Sequence, residues 1–237
     1  MLDYDKVIKN FPKVRRELPA EYLKIYDEHY MNNRSGASPA SFLAMQMEKW
    51  LHKKAASTAR FFTNPRTLEI GGTLNQLNFE GVDKPEIYDV VEPYHFLYEN
   101  SENFPRVNKF YDDISDIAGR SIYDRIIAVA SFEHILNLPD VIKRSAELLK
   151  PMGILGVSIP NEGRFLWHFA YQMTTGREFR RKYGLDYEIL MKYEHVNTAD
   201  EIEAVLNHYF KNVRHAYFGL GKTFSFYRYY ECREPEI

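Results

Sequence analysis

The sequence predicts an α/β fold of the Rossmann type, with a mostly parallel seven-stranded sheet and helices on both faces. In "TLEIGGT" (67–73), an apolar strand ends in a glycine turn that predicts the start of a helix, and a second strand ends in an acid at Glu92. The acid follows the glycines by about 20 residues, which is the spacing of a ribose-binding nucleotide site. Strands then alternate with helical segments, an order that favours a parallel sheet.

The composition predicts a protein with one large core. The chain has 237 residues, of which 45% are hydrophobic, and its formal net charge of -2 argues against electrostatic capture of nucleic acid. Its one cysteine, Cys232, cannot form an internal disulfide, and no His/Cys cluster has zinc spacing, so no metal site is predicted. No segment has the apolar length of a membrane helix or a signal peptide. We therefore expect a cytoplasmic protein.

Helices are predicted on both sides of the first strands. Two precede the first strand, over residues 18–32 and 38–58, where the second has an apolar stripe. They would form an N-terminal helical cap over residues 1–60, on a domain that spans residues 61–237. A further helix is predicted over residues 139–149, ended by Pro-Met-Gly.

The C-terminal region completes the predicted sheet. Thr198 and Glu201 have the spacing of a capping box, which predicts that an amphipathic helix begins there. Two aromatic segments, around 212–218 and 223–230, are expected to form an antiparallel hairpin at the edge of the sheet.

The glycine loop indicates which cofactor the site binds. A dinucleotide site needs G-x-G-x-x-G, but only Gly71 and Gly72 are present, and no phosphate-loop lysine follows. The segment instead resembles the first motif of class I S-adenosylmethionine-dependent methyltransferases, in which an acid and spaced glycines follow an apolar strand. Glu69 and Gly71 match that motif, whereas Thr73 and Asn75 stand where later glycines are usual.

Later segments resemble the next motifs of the same family, in the family's order. "VNKFYDDISDIA" places Asp113 at the acid that usually binds the adenine amino group, with Ile114 beside the ring. "YDRIIAVASFEHI" resembles the fourth strand and its turn, and "LLKPMGILGVSIPN" resembles the helix end and the fifth strand. The resemblance covers residues 66–161 and implies a methyltransferase that uses S-adenosyl-L-methionine and releases S-adenosyl-L-homocysteine.

The resemblance also implies a set of cofactor-binding residues. Glu92 would accept hydrogen bonds from the ribose hydroxyls, and Glu69 and Gly71 would hold the methionine end. The full set of candidate cofactor-binding residues is Glu69, Gly71, Gly72, Glu92, Pro93, Asp113, Ile114, Ala130 and Ser131.

Residues 162–197 lie between the fifth strand and the last capped helix, outside the minimal fold. Their position at the crevice formed by the strand ends predicts an acceptor-binding lid. This insertion looks like that of bacterial sugar and cell-surface-polysaccharide methyltransferases, which implies a carbohydrate-like acceptor. Arg177 and Arg180 would bind a phosphate or a nucleotide-linked group on it, although a basic run is also typical of a solvated helix face. The candidate substrate-binding residues are Tyr26, Tyr30, Trp167, Arg177, Arg180 and Tyr187.

Two of these candidates allow a second interpretation. Tyr22, Tyr26 and Tyr30 recur at helical spacing. Such a stripe stacks on a sugar in some sites, but it also packs a helix onto a core. The sequence leaves both roles open.

Two histidines are candidate catalytic residues. Methyl transfer from a sulfonium is an in-line displacement, so alignment of the nucleophile supplies most of the acceleration. A hydroxyl acceptor also benefits from a base, and histidine is the usual one. His134, after the fourth strand, is favoured because related sugar methyltransferases place that turn beside the methyl; His195, at the end of the lid, is the alternative. Either histidine could instead have a structural role in its turn.

The preferred function is O-methylation of a sugar or cell-surface polysaccharide precursor, and two alternatives stay open. One is an RNA or protein methyltransferase. The acidic balance and the lack of an Asn/Asp-Pro-Pro-Tyr/Phe motif after the fourth strand argue against it. The other is a catalytically silent relative that acts as a binding subunit, which the incomplete glycine loop supports.

Overall fold

The computed structural model describes residues 2–26, 42–81 and 87–237, with side chains from residue 45 onward in the second range. The strands are β1 (Arg66–Ile70), β2 (Ile87–Val91), β3 (Lys109–Tyr111), β4 (Tyr123–Val129), β5 (Leu149–Pro160), β6 (Phe210–Leu220) and β7 (Phe224–Pro235). The helices are α1 (Tyr4–Val7), α2 (20–26), α3 (Phe42–Ala56), α4 (Leu138–Leu148), α5 (Phe165–Tyr171), α6 (Arg177–Tyr183), α7 (Tyr187–Glu194) and α8 (Ala199–Tyr209).

The seven strands form one sheet in the order β3-β2-β1-β4-β5-β7-β6. The first five strands run parallel, β7 is antiparallel to β5, and β6 is antiparallel to β7. The predicted sheet and its C-terminal hairpin are therefore confirmed. Strand order reverses between β1 and β4, and Ile70 lies opposite both Val91 and Ala128. The ends of three strands are thus level at the point where ligands bind in open α/β sheets.

Helices cover both faces of the sheet, as predicted. On one face, α4 and α8 pack over a cluster that includes Leu68 and Ile126. On the other face, α3 packs through Leu51 onto a cluster that includes Ile127. Adjacent residues of β4 belong to different clusters because successive side chains of a strand point to opposite faces.

The connection after β1 differs from the predicted helix start. The described residues there form only a short 3₁₀ turn, Asn75–Asn78, entered through Leu74 with a left-handed φ of +64°. Leu74 and Leu77 are buried in the same cluster as Leu51. Helix α3, which precedes the sheet in sequence, therefore covers the face on which a helix after β1 was expected.

The predicted helix bounds are shifted at several ends. Helix α4 ends at Leu148 and β5 begins at Leu149, so Pro151 and Gly153 lie inside a strand rather than stopping the helix. Helix α3 begins at Phe42 in the described residues. The capping box at Thr198 is confirmed, since its hydroxyl accepts a hydrogen bond from the backbone N–H of Glu201 at 3.3 Å.

Residues 162–197 fold into α5, a π-helical turn, α6 and α7. They share a separate hydrophobic cluster with Leu18 and Tyr22, in which Phe179 and Leu190 are also buried. Tyr22 therefore has the packing role that a helical aromatic stripe allows. Tyr30 lies outside the described residues. In the part of the chain that the structure describes, no helix is long and apolar enough to cross a membrane.

Candidate active site

Two cavities meet at the C-terminal ends of the central strands. The β2-side cavity, of about 690 Å³, lies beside the residues that follow β2 and β3. The β5-side cavity, of about 460 Å³, lies beside the end of β5 and the helices of residues 162–197. Both cavities are lined by Tyr26, Gly71, His134 and Glu194. A ligand that spans the two cavities must pass these four residues.

The glycine turn after β1 is packed against the turn after β4. Gly71 has a φ of +70°, and a Cβ atom there would lie 2.5 Å from the Cβ of Ser131. A Cβ atom at Gly72 would lie 2.4 Å from Glu69 Oε1. The Ser131 hydroxyl also donates to the carbonyl of Ile70 at 2.8 Å. Glycine is required here because the loop has no space for a side chain at either position.

Glu69 is buried at the end of β1 and lines the β5-side cavity. Burial raises its pKa to about 8, although a hydrogen bond from the Tyr88 hydroxyl, at 2.9 Å, opposes that change. The carboxyl is therefore poised to ionise when a cationic group binds next to it, because an opposite charge favours the ionised form.

The β2-side cavity collects most of the predicted nucleoside residues. Glu92, at the end of β2, is buried and accepts a hydrogen bond from the backbone N–H of Tyr94 at 3.0 Å. Asp113 caps the turn after β3 by accepting from the N–H of Ser115 at 2.8 Å. The predicted residues that line this cavity are Gly71, Glu92, Pro93, Asp113, Ile114 and Ser131. Those that line the β5-side cavity are Glu69, Gly71, Gly72 and Ala130.

The turn that carries His134 is held by the segment that carries His195. The Asn197 side-chain amide donates to the carbonyls of Phe132 and Ile135, at 2.8 and 2.7 Å. The N–H of Val196 donates to the carbonyl of Glu133 at 2.9 Å. These bonds place the His134 and His195 rings with their centroids 4.9 Å apart. The structure thus places both candidate bases, His134 and His195, side by side in one site, whereas the sequence offered them as alternatives.

Each histidine ring is oriented by an oxygen atom on the partner segment. His134 Nδ1 lies 3.0 Å from the carbonyl oxygen of Glu194. His195 Nδ1 lies 2.8 Å from Glu162 Oε2, which also accepts from Trp167 Nε1 at 2.6 Å. Burial alone would lower the pKa of His195, but the Glu162 carboxylate and two further glutamates outweigh it and raise that pKa.

Glu194 adds a third carboxylate beside the histidines. Burial would raise its pKa, but hydrogen bonds from His134 and Tyr26 and the charge of Arg15 hold it at about 2. Arg15 also donates to the carbonyls of Tyr193 and His134, at 3.3 and 3.2 Å. The N-terminal segment therefore braces the histidine turn from outside the sheet.

The predicted substrate-binding residues separate into two groups. Tyr26, Trp167 and Tyr187 line the β5-side cavity. Arg177 and Arg180 are exposed on α6 and line neither cavity, and Arg180 lies 3.6 Å from Asp186. In the described residues, the two arginines therefore lie on a solvated helix face.

The sequence did not predict Glu133, Glu162 or Glu194 as residues of the site. A signal for two of them was present, because "SFEHI" and "YEHVN" each contain a Glu-His pair. The repeated dipeptide gains meaning only when the fold brings both copies to one cavity. Glu162 lies two residues after the end of β5, where a parallel sheet exposes side chains to the crevice.

Comparison with known proteins identifies the fold. No protein-family model and no curated protein match the chain. Among solved structures, the plantazolicin methyltransferase BpumL, in complex with a pentazolic desmethylPZN analogue and S-adenosylhomocysteine, has a TM-score of 0.66 at 13% identity, covering 98% of this chain and 99% of that one. The N-methyltransferase NodS from Bradyrhizobium japonicum WM9, with S-adenosylhomocysteine, has a TM-score of 0.58 at 13% identity, covering 92% and 100%.

A third structure has the same architecture. The 1,6-didemethyltoxoflavin-N1-methyltransferase of Burkholderia thailandensis, with its acceptor and S-adenosylhomocysteine bound, has a TM-score of 0.54 at 14% identity, covering 94% of each chain. At these identities the similarity establishes the fold. The chain has the Rossmann-like methyltransferase fold, with its seven-stranded, mostly parallel sheet.

Proposed function

We propose that the protein is an S-adenosylmethionine-dependent methyltransferase that acts on a small acceptor. The observation that carries this proposal is the meeting of the two cavities at Gly71 and His134. One cavity contains the residues suited to a nucleoside, and the other contains a buried carboxyl and aromatic walls. Their junction is where a sulfonium methyl would face an acceptor.

The proposed cofactor position follows from the residues of each cavity. The adenosine half would occupy the β2-side cavity, with its ribose against Glu92 and its adenine against Asp113 and Ile114. The methionine half would cross Gly71, where its ammonium group meets the buried carboxyl of Glu69. The solved structures with S-adenosylhomocysteine support the same ligand, because they share this fold.

The walls of the β5-side cavity favour an acceptor without negative charge. None of the described residues that line it is Lys or Arg. Four of them are glutamates, namely Glu48, Glu69, Glu133 and Glu194. Aromatic rings at Trp167 and Tyr187 offer flat surfaces for an apolar ring or a sugar face. A hydroxylated, carbohydrate-like acceptor fits this combination, since carboxylates accept hydrogen bonds from hydroxyl groups.

The reaction we propose is O-methylation, with His134 and His195 activating the acceptor hydroxyl. Both rings line the β5-side cavity, and His134 also lines the cofactor side. A second candidate is N-methylation of an amine, which the acidic lining favours because carboxylates stabilise a cation. Product analysis by NMR separates the two, since a methyl on oxygen and a methyl on nitrogen have distinct shifts.

We also propose that the N-terminal residues 1–60 and the insertion 162–197 act as cap and lid. Within them, residues 18–26 share the cluster of Leu18, Tyr22 and Phe179 with the insertion, whereas Val7 and Leu51 pack in the clusters on the two faces of the sheet. The shared part of this cover would exclude water and hold the acceptor in line with the methyl.

Isothermal titration with S-adenosylhomocysteine tests the cofactor assignment. We expect saturable binding by the wild type and at least tenfold weaker binding by Glu92→Ala, because charge-assisted hydrogen bonds to ribose contribute about 1.5 to 3 kcal/mol each. Glu102→Ala is the matched control, since Glu102 is an exposed acid on the same connection. An absence of binding to the wild type would overturn the proposal. Binding without turnover of any acceptor would favour the silent relative.

A further inference from the structure

The structure assigns a divalent-cation site to Glu133, His134 and His195. One ligand atom from each of these residues lies within 4.8 Å of the others. Two imidazole nitrogens and one carboxylate oxygen are a ligand set that suits Zn²⁺, Mn²⁺ and Fe²⁺. The assignment deepens the proposed function and rests on it for the role of the cation, because the three residues line the cavity proposed for the acceptor.

The hydrogen bonds of the two rings are those of metal ligands. In protein metal sites, a ligating histidine almost always donates its second ring N–H to a carboxylate or a backbone carbonyl. His195 Nδ1 meets the carboxylate of Glu162 at 2.8 Å, and His134 Nδ1 meets the carbonyl oxygen of Glu194 at 3.0 Å. With both Nδ1 atoms acting as donors, each Nε2 has a lone pair available for a cation.

Glu133 supplies an independent observation. Its side chain is 2% exposed, and its Oε2 atom is buried with no hydrogen-bond partner in the described part of the chain. A buried carboxylate oxygen without a partner is costly, so native structures usually provide a donor or an ion. Its other oxygen, Oε1, lies 3.9 Å from His134 Nε2. A cation between these groups supplies the missing partner.

The charge around the cluster is also suited to a cation. Glu162 Oε2 lies 2.8 Å from His195 Nδ1, and Glu194 Oε2 lies 3.4 Å from His134 Nδ1. Against these carboxylates stands Arg15, which lies 3.8 Å from Glu194. A divalent ion would offset the remaining negative charge. Its attraction to the carboxylates would be strong, because charges inside a partly buried cavity are screened less than charges in water.

Closure of the site requires only small movements. Ligand atoms around a zinc-sized ion lie about 3 to 3.5 Å apart, given metal–nitrogen distances near 2.1 Å. The most widely separated ligand atoms must therefore approach one another by about 1.3 to 1.8 Å from a separation of at most 4.8 Å, which rotamer adjustment provides. The backbone that carries them is already fixed by the bonds from Asn197 to the turn after β4.

The cation gives the histidines a defined role in methyl transfer. A metal-bound hydroxyl group loses its proton more easily, because the positive charge stabilises the alkoxide. The alkoxide oxygen then forms the new bond to the methyl carbon, and the sulfur–methyl bond breaks with its electron pair remaining on sulfur. The proton passes to solvent, and the products are a methyl ether and S-adenosylhomocysteine. The histidines thus act as ligands, in place of the direct base predicted from the sequence.

The sequence could not indicate this site. Glu133 and His134 are adjacent, but His195 is far along the chain, so no short ligand motif is formed. The fold brings the ligands together through the hydrogen bonds that Val196 and Asn197, just after α7, donate to the turn after β4.

Metal titration of the whole protein tests the assignment without the cofactor. After dialysis against a chelator, we expect Zn²⁺ and Mn²⁺ to bind with one site per chain by isothermal titration. Affinity should fall at least tenfold in His195→Ala and in Glu133→Gln. His95→Ala is the matched control, because His95 also contacts a carboxylate, Asp112, at 2.8 Å, but on the exposed surface. Its affinity should equal that of the wild type.

A spectroscopic measurement covers the case in which a variant fails to fold. Co²⁺ bound to wild-type protein by histidine nitrogens gives visible absorption bands, and one equivalent of Zn²⁺ should remove them. The assignment is overturned if wild-type protein shows neither saturable binding nor Co²⁺ bands. It is also overturned if folded His195→Ala and Glu133→Gln bind the metals as tightly as wild type.

The role in methyl transfer has its own readout. Chelated protein should bind S-adenosylhomocysteine normally yet lose at least ~90% of its methyl transfer, and added Mn²⁺ or Zn²⁺ should restore it. Full activity of the metal-free protein would overturn this role. Failure to bind S-adenosylhomocysteine in the presence of normal metal binding would instead overturn the proposed function alone.

Discussion

The two cavities are built in different ways, although they share one wall. The β2-side cavity takes its polar residues from the first positions after consecutive strands, with Glu92 after β2 and Asp113 after β3. Besides the glycine turn and the turn after β4, the β5-side cavity takes residues from α3, from the insertion and from β7, including Glu48, Trp167 and Tyr227. The polar residues of the first cavity therefore follow the order of the strands, whereas the second cavity exists only after distant segments meet.

Their polar groups are also held differently. In the β2-side cavity, backbone N–H groups two residues onward orient Glu92 and Asp113. In the β5-side cavity, partners more than 30 residues apart orient the histidines, as in the pair of His195 and Glu162. The first set should tolerate changes in the insertion, and the second should not. The following predictions test this difference.

The largest expected effect is the loss of methyl transfer in His195→Ala. His195 lines only the β5-side cavity, so kcat should fall by about 100- to 10,000-fold, the usual range for a group that activates a hydroxyl. Affinity for S-adenosylhomocysteine should change by less than about threefold, because no nucleoside contact is removed. Steady-state kinetics and titration measure the two quantities. A loss below tenfold would show that His195 has a structural role.

The wall shared by the cavities should be sensitive to a single methyl group. Gly71→Ala should destabilise the protein by about 2 to 4 kcal/mol, because it combines an unfavourable φ with overlap against Ser131. Gly184→Ala is the matched control, since Gly184 has a φ of +72° but no atom within 4 Å of the position that a Cβ atom would take. Its cost should be about 1 to 2 kcal/mol. Urea unfolding measures both, and equal costs would show that the loop relaxes away from Ser131.

A smaller effect on stability should depend on pH through Glu69. Its folded-state pKa, about 8, exceeds its usual value of 4.5, so the folded protein binds the extra proton. The unfolding free energy of wild-type protein should therefore decrease as pH rises from about 5 to above 8. In Glu69→Gln, the amide oxygen can still accept the hydrogen bond from the Tyr88 hydroxyl, but the side chain does not ionise. The decrease of the unfolding free energy with rising pH should therefore disappear. Its melting temperature relative to wild type should rise by at least ~3 °C between pH 5 and pH 8.5.

Cofactor binding gives a second, independent test of the role of Glu69. Glu69→Gln should bind S-adenosylhomocysteine more weakly, since the neutral amide cannot pair with the ammonium group. A melting difference that is independent of pH would show that Glu69 is not the titrating group. Unchanged affinity would show that the methionine end lies elsewhere.

The smallest expected effect is that of Arg177→Ala combined with Arg180→Ala. Both side chains are exposed and outside the two cavities, so acceptor KM should change by less than about twofold. Kinetics with neutral and phosphorylated sugars measure this. A large increase in KM for the phosphorylated sugar alone would place an anionic part of the acceptor on α6, as the basic run suggested.

Particular residues show how far sequence reasoning reached. Glu92 could be placed in the nucleoside cavity from its spacing to the glycine turn, and Asp113 from the resemblance of its segment to the methyltransferase motif; both follow parallel strands, whose C-terminal ends meet at one edge of the sheet. The aromatic hairpin and the capping box at Thr198 were also predictable, since alternation and capping are local. The helix expected after the glycine turn was wrong, because α3, which precedes the sheet, fills that face.

The sequence alone determined the order of the strands along the chain, the tight turn at Gly71 and the carboxylates that follow β2 and β3, because each depends on neighbouring residues and on the geometry of a parallel sheet. Only the tertiary structure decided that His134, His195 and Glu133 meet, that Glu162 orients one of the rings, and that the arginines of α6 face solvent. The contacts of His195 with His134 and Glu162 join segments tens of residues apart. Their formation depends on how the insertion packs against the turn after β4.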